Sequence, residues 1–210
     1  MFRRSLLALA LLIAMMPASA RAQEAPELTP FLGFRFGGSV DSVSTGESFS
    51  IDPSGSVGLI FDYPLSPETT FKFVWSLQDT EIDGSRADGT GPSRFPLDIH
   101  YFHFGATYSP GPPRKRRGYV VITAGATYFD PDASGFGSDT RFSLAAGGGV
   151  KLKLSDRLGL RIEGRGYLTF VSSSSDVFCS GGGAGASCAF SFTGDAFLQG
   201  EIDVGLSIAF

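Results

Sequence analysis

Apolar and polar positions alternate along most of this chain. From Glu201 to Phe210, Ile202, Val204, Leu206, Ile208 and Phe210 are apolar, and Glu201, Asp203, Gly205, Ser207 and Ala209 between them are polar or small. Successive side chains of a strand point to opposite faces, so a period of two predicts a strand with one apolar face. The same period sets Leu32, Phe34 and Phe36 against Gly33 and Arg35. It sets Val57, Leu59, Phe61 and Tyr63 against Ser56, Gly58, Ile60 and Asp62. It sets Phe71, Phe73, Trp75 and Leu77 against Lys72, Val74, Ser76 and Gln78. Phe102, Phe104, Ala106 and Tyr108 then alternate with Tyr101, His103, Gly105 and Thr107, a segment with aromatics on both faces. Val120, Ile122, Ala124, Ala126 and Tyr128 make a further apolar face. Phe142, Leu144, Ala146, Val150, Leu152 and Leu154 oppose Ser143, Gly147, Gly149, Lys151 and Lys153. Leu160, Ile162, Leu168 and Phe170 oppose Arg161, Glu163, Arg165, Tyr167 and Thr169.

Eight strands result, each near the ~9–11 residues that a tilted membrane strand needs. Residues 41–47, 79–96, 130–140 and 172–194 read as the longer loops, and residues 64–68, 109–118 and 155–157 as short turns. Short and long connections therefore alternate between the two ends. The prediction is an all-β protein, an eight-stranded antiparallel barrel. Two kinds of barrel share such alternation. A soluble lipocalin-like barrel turns its apolar face inward around a ligand, whereas a membrane barrel turns it outward to lipid. The polar face favours the membrane, because it carries Gly and Ser at many positions, which suits a crowded interior. The apolar face carries no Lys or Glu. Tyr63, Phe71, Tyr108, Tyr128, Phe142 and Phe170 lie near strand ends, where interfacial aromatic belts belong.

The N-terminus agrees with export. Arg3 and Arg4 precede the apolar run Leu6–Met16, and Ala18-Ser19-Ala20 is a small-residue cleavage site. Residues 1–20 read as a cleaved signal peptide, with cleavage after Ala22 as the alternative, residues 21–29 as a short N-terminal segment, and residues 30–210 as a transmembrane β-barrel. No apolar run after the leader is long enough for a transmembrane helix, so a membrane-spanning chain must close as a barrel. Removing Arg3 and Arg4 leaves 15 basic against 21 acidic residues and a net charge of about −6, which speaks against a nucleic-acid partner. The 28 glycines and 20 phenylalanines fit tight strands and a lipid-facing surface respectively. Cys179 and Cys188 lie nine positions apart in an exported chain, which suggests one local disulfide.

The whole mature chain resembles the small outer-membrane β-barrel proteins of Gram-negative bacteria, the OmpA/OmpX/OmpW-like superfamily. The likeness rests on the leader, the strand count, the loop asymmetry and the ending VGLSIAF. Stretches such as ETTFKFVWSLQDTE, YFHFGATYSP and GLRIEGRGY are similar to a functionally uncharacterised subgroup of that superfamily. The resemblance implies location in the outer membrane, short turns at the periplasmic end and longer loops outside. It implies that Leu206, Ile208 and Phe210 form the signal read by the barrel-assembly machinery, with periplasmic chaperones as partners during biogenesis. Outer-membrane lipids would surround a monomer, and the outer loops could meet an extracellular ligand. No OmpA-style cell-wall tether is expected after the last strand.

Arg35, Asp62, Lys72, His103, Lys151, Lys153, Arg161, Glu163, Arg165, Glu201 and Asp203 fall on the polar face and are expected in the lumen. Buried charges must pair, so these residues predict an ion-pair network. Folding strand 201–210 back on strand 160–170 puts Arg165 near Glu201 and Glu163 near Asp203. Lys151, Lys153 or Arg35 would then neutralise the two acids. Such a network either plugs the barrel, leaving an envelope or surface-interaction role for the outer loops, or gates a narrow path for small or apolar solutes. A third reading, a lipid-modifying enzyme of the outer leaflet, would need a nucleophile, a His and an acid near the outer rim. His100 with Asp98 lies near that rim, but its surroundings do not match a deacylase pattern, and the chain reads as a non-enzyme. No metal-ligand spacing or phosphate-binding glycine loop is present, so no cofactor is expected. The basic run Arg114–Arg117 reads as a solvated turn, or as a contact with anionic headgroups of the inner leaflet.

Overall fold

The structure is a computed structural model and describes residues 25–41, 48–83, 94–111, 115–131, 137–170, 176–180, 187–191 and 196–210. The expected signal peptide lies outside the described residues. The strands are β1 (Glu27–Gly37), β2 (Ser39–Asp41), β3 (Ser48–Ser50), β4 (Ser54–Pro64), β5 (Thr69–Asp83), β6 (Arg94–Tyr108), β7 (Arg116–Pro131), β8 (Asp139–Lys153), β9 (Leu158–Phe170), β10 (Asp176–Ser180), β11 (Ser187–Ser191) and β12 (Ala196–Ala209). Eight of them close into a barrel in the order β1-β12-β9-β8-β7-β6-β5-β4, and antiparallel pairing of β1 with β4 completes the ring. The remaining four form two hairpins, β2–β3 and β10–β11, at the end of the barrel that carries the longer connections.

The two faces partition as the alternation requires. Ile122 and Leu32 are each 68% exposed and Leu198 is 65% exposed, all on the outside, whereas Arg35, Lys72, Arg161 and Glu163 are fully buried inside. Water would favour the opposite arrangement, because exposed apolar area and buried charge both cost free energy there. Only a lipid surround makes this arrangement stable, and the soluble-barrel alternative fails on it. Aromatics cluster at both edges of the outer band. Phe142 stacks on Phe170 at the outer end, with centroids 5.8 Å apart, and Tyr63 and Tyr108 are exposed at the other.

Several strands run further than the apolar pattern indicates. β5 and β6 continue into both ends of the expected 79–96 loop, pairing as far as Asp83 with Arg94. Outward Asp79 and Glu81 break the apolar face there, yet the backbone ladder needs no apolar side chain once it leaves the membrane. β1 starts at Glu27, before the expected strand at Leu32 and the expected barrel start at residue 30. Thr29 and Pro30 hid that start; the Thr29 hydroxyl faces the interior and shares a 2.8 Å hydrogen bond with Ser207. β2 and β3 flank the expected loop 41–47, and β10 and β11 both fall within the expected loop 172–194.

Inward glycines make room for large neighbours. A Cβ on Gly58 would sit 2.4 Å from the Phe31 ring, and one on Gly149 would sit 2.5 Å from the Tyr119 hydroxyl. Phe31 packs with Ile60 and Val74 into a small apolar core on the lumen wall. At the outer end Leu97, Ile99, Phe129 and Phe197 are buried, and the Phe129 and Phe197 rings meet edge to face at 6.1 Å. The middle of the lumen is polar.

Candidate functional site in the lumen

The alternation puts every second residue of each strand into a space barely wide enough for side chains. The register of β9 with β12 then fixes which charges meet. Arg165 pairs with Glu201, and Glu163 with Asp203, as folding the two strands together requires. Arg165 contacts Glu163 at 2.7 Å, Asp203 at 3.1 Å and Glu201 at 3.8 Å, so it bridges the two adjacent acids itself. That differs from the expectation that Lys151, Lys153 or Arg35 would neutralise this acid pair. The additional charge reaches Glu163 from Lys72 at 2.7 Å and Arg161 at 2.8 Å. The sequence pattern shows which face a residue takes but not how far across the lumen it reaches.

Lys72 on β5 and Glu163 on β9 lie four strands apart in an eight-stranded ring, so their ion pair spans the full diameter. Tyr101 on β6 likewise reaches across to Gln199 on β12 at 2.8 Å, and Gln199 bonds Gln78 at 3.1 Å. Arg35 binds Glu201 at 2.8 Å, donates to Ser76, and lies 4.6 Å above the Tyr101 ring. Glu201 also accepts from Ser56 at 2.6 Å and from Tyr167 at 2.8 Å. Tyr119 donates to Glu163 at 2.5 Å. Towards the end that carries the short turns Asp62 takes Arg161 at 2.6 Å and Lys151 at 3.2 Å, and Lys151 also binds Glu27 at 2.8 Å. The cations Arg35, Lys72, Lys151, Arg161 and Arg165 are thus matched by the carboxylates Glu27, Asp62, Glu163, Glu201 and Asp203. Below them a cavity of about 320 Å³, lined by Glu27, Arg117, Lys151 and Ser207 among others, occupies the short-turn end.

Two of the expected lumen residues behave differently. Lys153 is not part of the network; its side chain is 55% exposed and pairs with Asp156 of the adjoining turn at 2.9 Å. It has the inward parity, but β8 ends at that residue, so parity no longer aims it into the lumen. Its hydrogen bond to Asp156 holds that carboxyl below its ordinary value. His103 is in the lumen without an ion pair, bonded through Nδ1 to the Thr123 hydroxyl at 3.0 Å and through Nε2 to Ser143 at 2.8 Å. His100 faces outward and packs between Trp75, Phe102 and Tyr128, with centroids 6.5, 6.1 and 5.8 Å away. Charge alone missed Tyr101, Tyr119, Tyr167, Gln78 and Gln199, although their parity placed them inside. Glu27 was missed because its strand was not read.

The profile of the outer membrane protein beta-barrel domain matches residues 6–190. The chain belongs to this family. A member of it resides in the outer membrane of Gram-negative bacteria, with its apolar face in lipid. Among solved structures the chain is similar to Neisserial surface protein A, at 12% identity, covering 88% of this chain and 97% of that one with a TM-score of 0.58. It is similar to OprG from Pseudomonas aeruginosa, at 15% identity, 90% and 97% coverage and a TM-score of 0.57. It is similar also to AlkL, determined in DMPC lipid bilayers, at 14% identity, 93% and 95% coverage and a TM-score of 0.58. At these identities the likeness is one of fold, and fold does not supply function. A search of curated proteins finds no match to the sequence.

Proposed function

We propose that this outer-membrane barrel is a non-conducting, non-enzymatic envelope protein that works through its outer loops. The single observation behind the reading is the Lys72–Glu163 pair across the full width of the lumen, with neighbours that neutralise it on every side. A path for a solute would have to part fully buried ion pairs, and removing one partner of such a pair costs about 3–5 kcal/mol. The apolar layer of Leu97, Ile99, Phe129 and Phe197 adds a second seal on the outer side. A non-enzymatic role is supported by His103, which is satisfied by two hydroxyls, and by His100, which sits in an aromatic cluster on the lipid side. In this reading the protein is a monomer inserted by the barrel-assembly machinery after chaperoned transit, and an extracellular ligand would meet the β2–β3 and β10–β11 hairpins.

A narrow channel is the second reading, and the cavity of about 320 Å³ at the periplasmic end favours it, because half of an entrance already exists there. Planar-bilayer recording separates the two. The plug predicts no stable unitary steps for the native protein, and their appearance in a Lys72→Ala/Glu163→Ala variant. Stable steps from the native protein would overturn the plug in favour of the channel.

A further inference from the structure

We infer that the periplasmic rim of the barrel between β7 and β9 is a binding site for anionic phospholipid of the inner leaflet. The inference rests on the membrane placement of the barrel and not on the state of its lumen. Three cations gather on this sector. Lys115 precedes β7 and Arg116 starts it, and the Lys153 amide bonds the Lys115 carbonyl at 2.8 Å, which brings the end of β8 beside them. Arg157 lies in the next turn, which folds tightly because the Leu154 and Ser155 amides both bond the Leu158 carbonyl, at 2.9 and 3.0 Å. Lys115, Arg116 and Arg157 are exposed and have no acid partner among the described residues. Lys153 already holds Asp156, and Arg117 donates to the carbonyls of Pro67 and of Ser109, the latter at 2.9 Å.

The surface next to these cations selects a lipid over a free anion. Arg116 is the register partner of Leu152, so the two side chains share the outward face. Leu154 is 63% exposed and Leu158 is 42% exposed on the same sector. Cations at the headgroup level with leucines directly beside them match an amphiphile: phosphate against Arg116, Arg157 and Lys115, acyl chain along the leucines. Elsewhere on this rim Glu68 adds a negative charge, accepting from the Gly111 amide and the Tyr108 hydroxyl.

The test uses the full-length folded protein in phosphatidylcholine bilayers carrying a trace of spin-labelled phosphatidylglycerol or, in parallel, spin-labelled phosphatidylcholine. Phosphatidylglycerol should be held at the protein surface about fivefold more strongly, the effect of one well-placed Lys or Arg at a lipid surface. In the Lys115→Gln/Arg116→Gln/Arg157→Gln variant the ratio should fall to near one while the heat-modifiable gel mobility of the barrel is retained. If the triple variant does not fold, Arg116→Gln and Arg157→Gln alone should each lower the ratio. Equal association of the two lipids with the native protein, or a preference that survives these substitutions, would overturn the site. A preference abolished by inorganic phosphate, but not by chloride of the same ionic strength, would mean that the cations take a free anion and would overturn the lipid assignment.

Discussion

Among the described lumen carboxylates Glu163 meets the most cations, with Lys72, Arg161 and Arg165 on its two oxygens and the Tyr119 hydroxyl alongside. Changing it to Gln would leave three buried cations short of one negative charge in a space that water enters poorly. Glu163→Gln should therefore destabilise the barrel by about 3–5 kcal/mol. A second change, Lys72→Met, should recover part of that loss, since it removes one of the stranded charges and leaves an apolar group of similar length. Urea unfolding followed by gel mobility would read both. A double variant no better than the single one would show that Lys72 is not bound to Glu163. Lys153→Gln makes the contrast: it removes a charge of equal formal size at an exposed rim position and should not change the unfolding midpoint.

The hairpin β10–β11 carries both cysteines of the chain. Its backbone register makes Cys179 the direct partner of Cys188, which is the relation a cross-strand bridge needs. We propose that the two are joined in the exported protein. Closing so short a loop stabilises by about 2–3 kcal/mol in the chain-entropy description. That stabilisation acts on the hairpin, because the barrel ladder closes without it through β9 and β12. Cys179→Ser/Cys188→Ser should keep the heat-modifiable mobility of the barrel and make the loop easier for an external protease to cleave. Free thiols on the native, unreduced protein would contradict the bridge, and loss of barrel folding in the double variant would contradict its local action.

For the whole molecule the controlling quantity is the inversion of polarity between wall and lumen. Ile202 and Asp203 are neighbours in sequence, yet the first is exposed to the lipid side and the second is buried against Arg165. Ile202→Arg would place a cation in the apolar band and should cost about 2–4 kcal/mol near the bilayer midplane. The loss should be largest in bilayers and small in detergent, where the head of the new side chain can reach water. Equal stability of Ile202→Arg and the native protein in bilayers would mean that this face does not meet lipid. A Gly or Ser at an inward position fails in another way: Gly149→Val would collide with Tyr119 and with the Ile162 carbonyl, 2.4 Å from the new Cβ, whatever the solvent.

The number of barrel strands, the face taken by residues well inside a strand and the pairing of Arg165 with Glu201 are all legible in the sequence. All three follow from a period of two and short connections, which are local properties. Its loop boundaries failed at Glu27, Asp83 and Arg94, because ladders that extend into water need no apolar pattern. Partnership inside the lumen is set only once the ring closes. Lys72 reaches Glu163 across the barrel, Lys151 turns to Glu27 and Asp62, and Lys153 leaves for Asp156. These choices depend on the ring order of the strands and on which inward glycines open a path, and neither is encoded in any one segment. Alternation chooses a face, but closing the ring decides which charges meet across it.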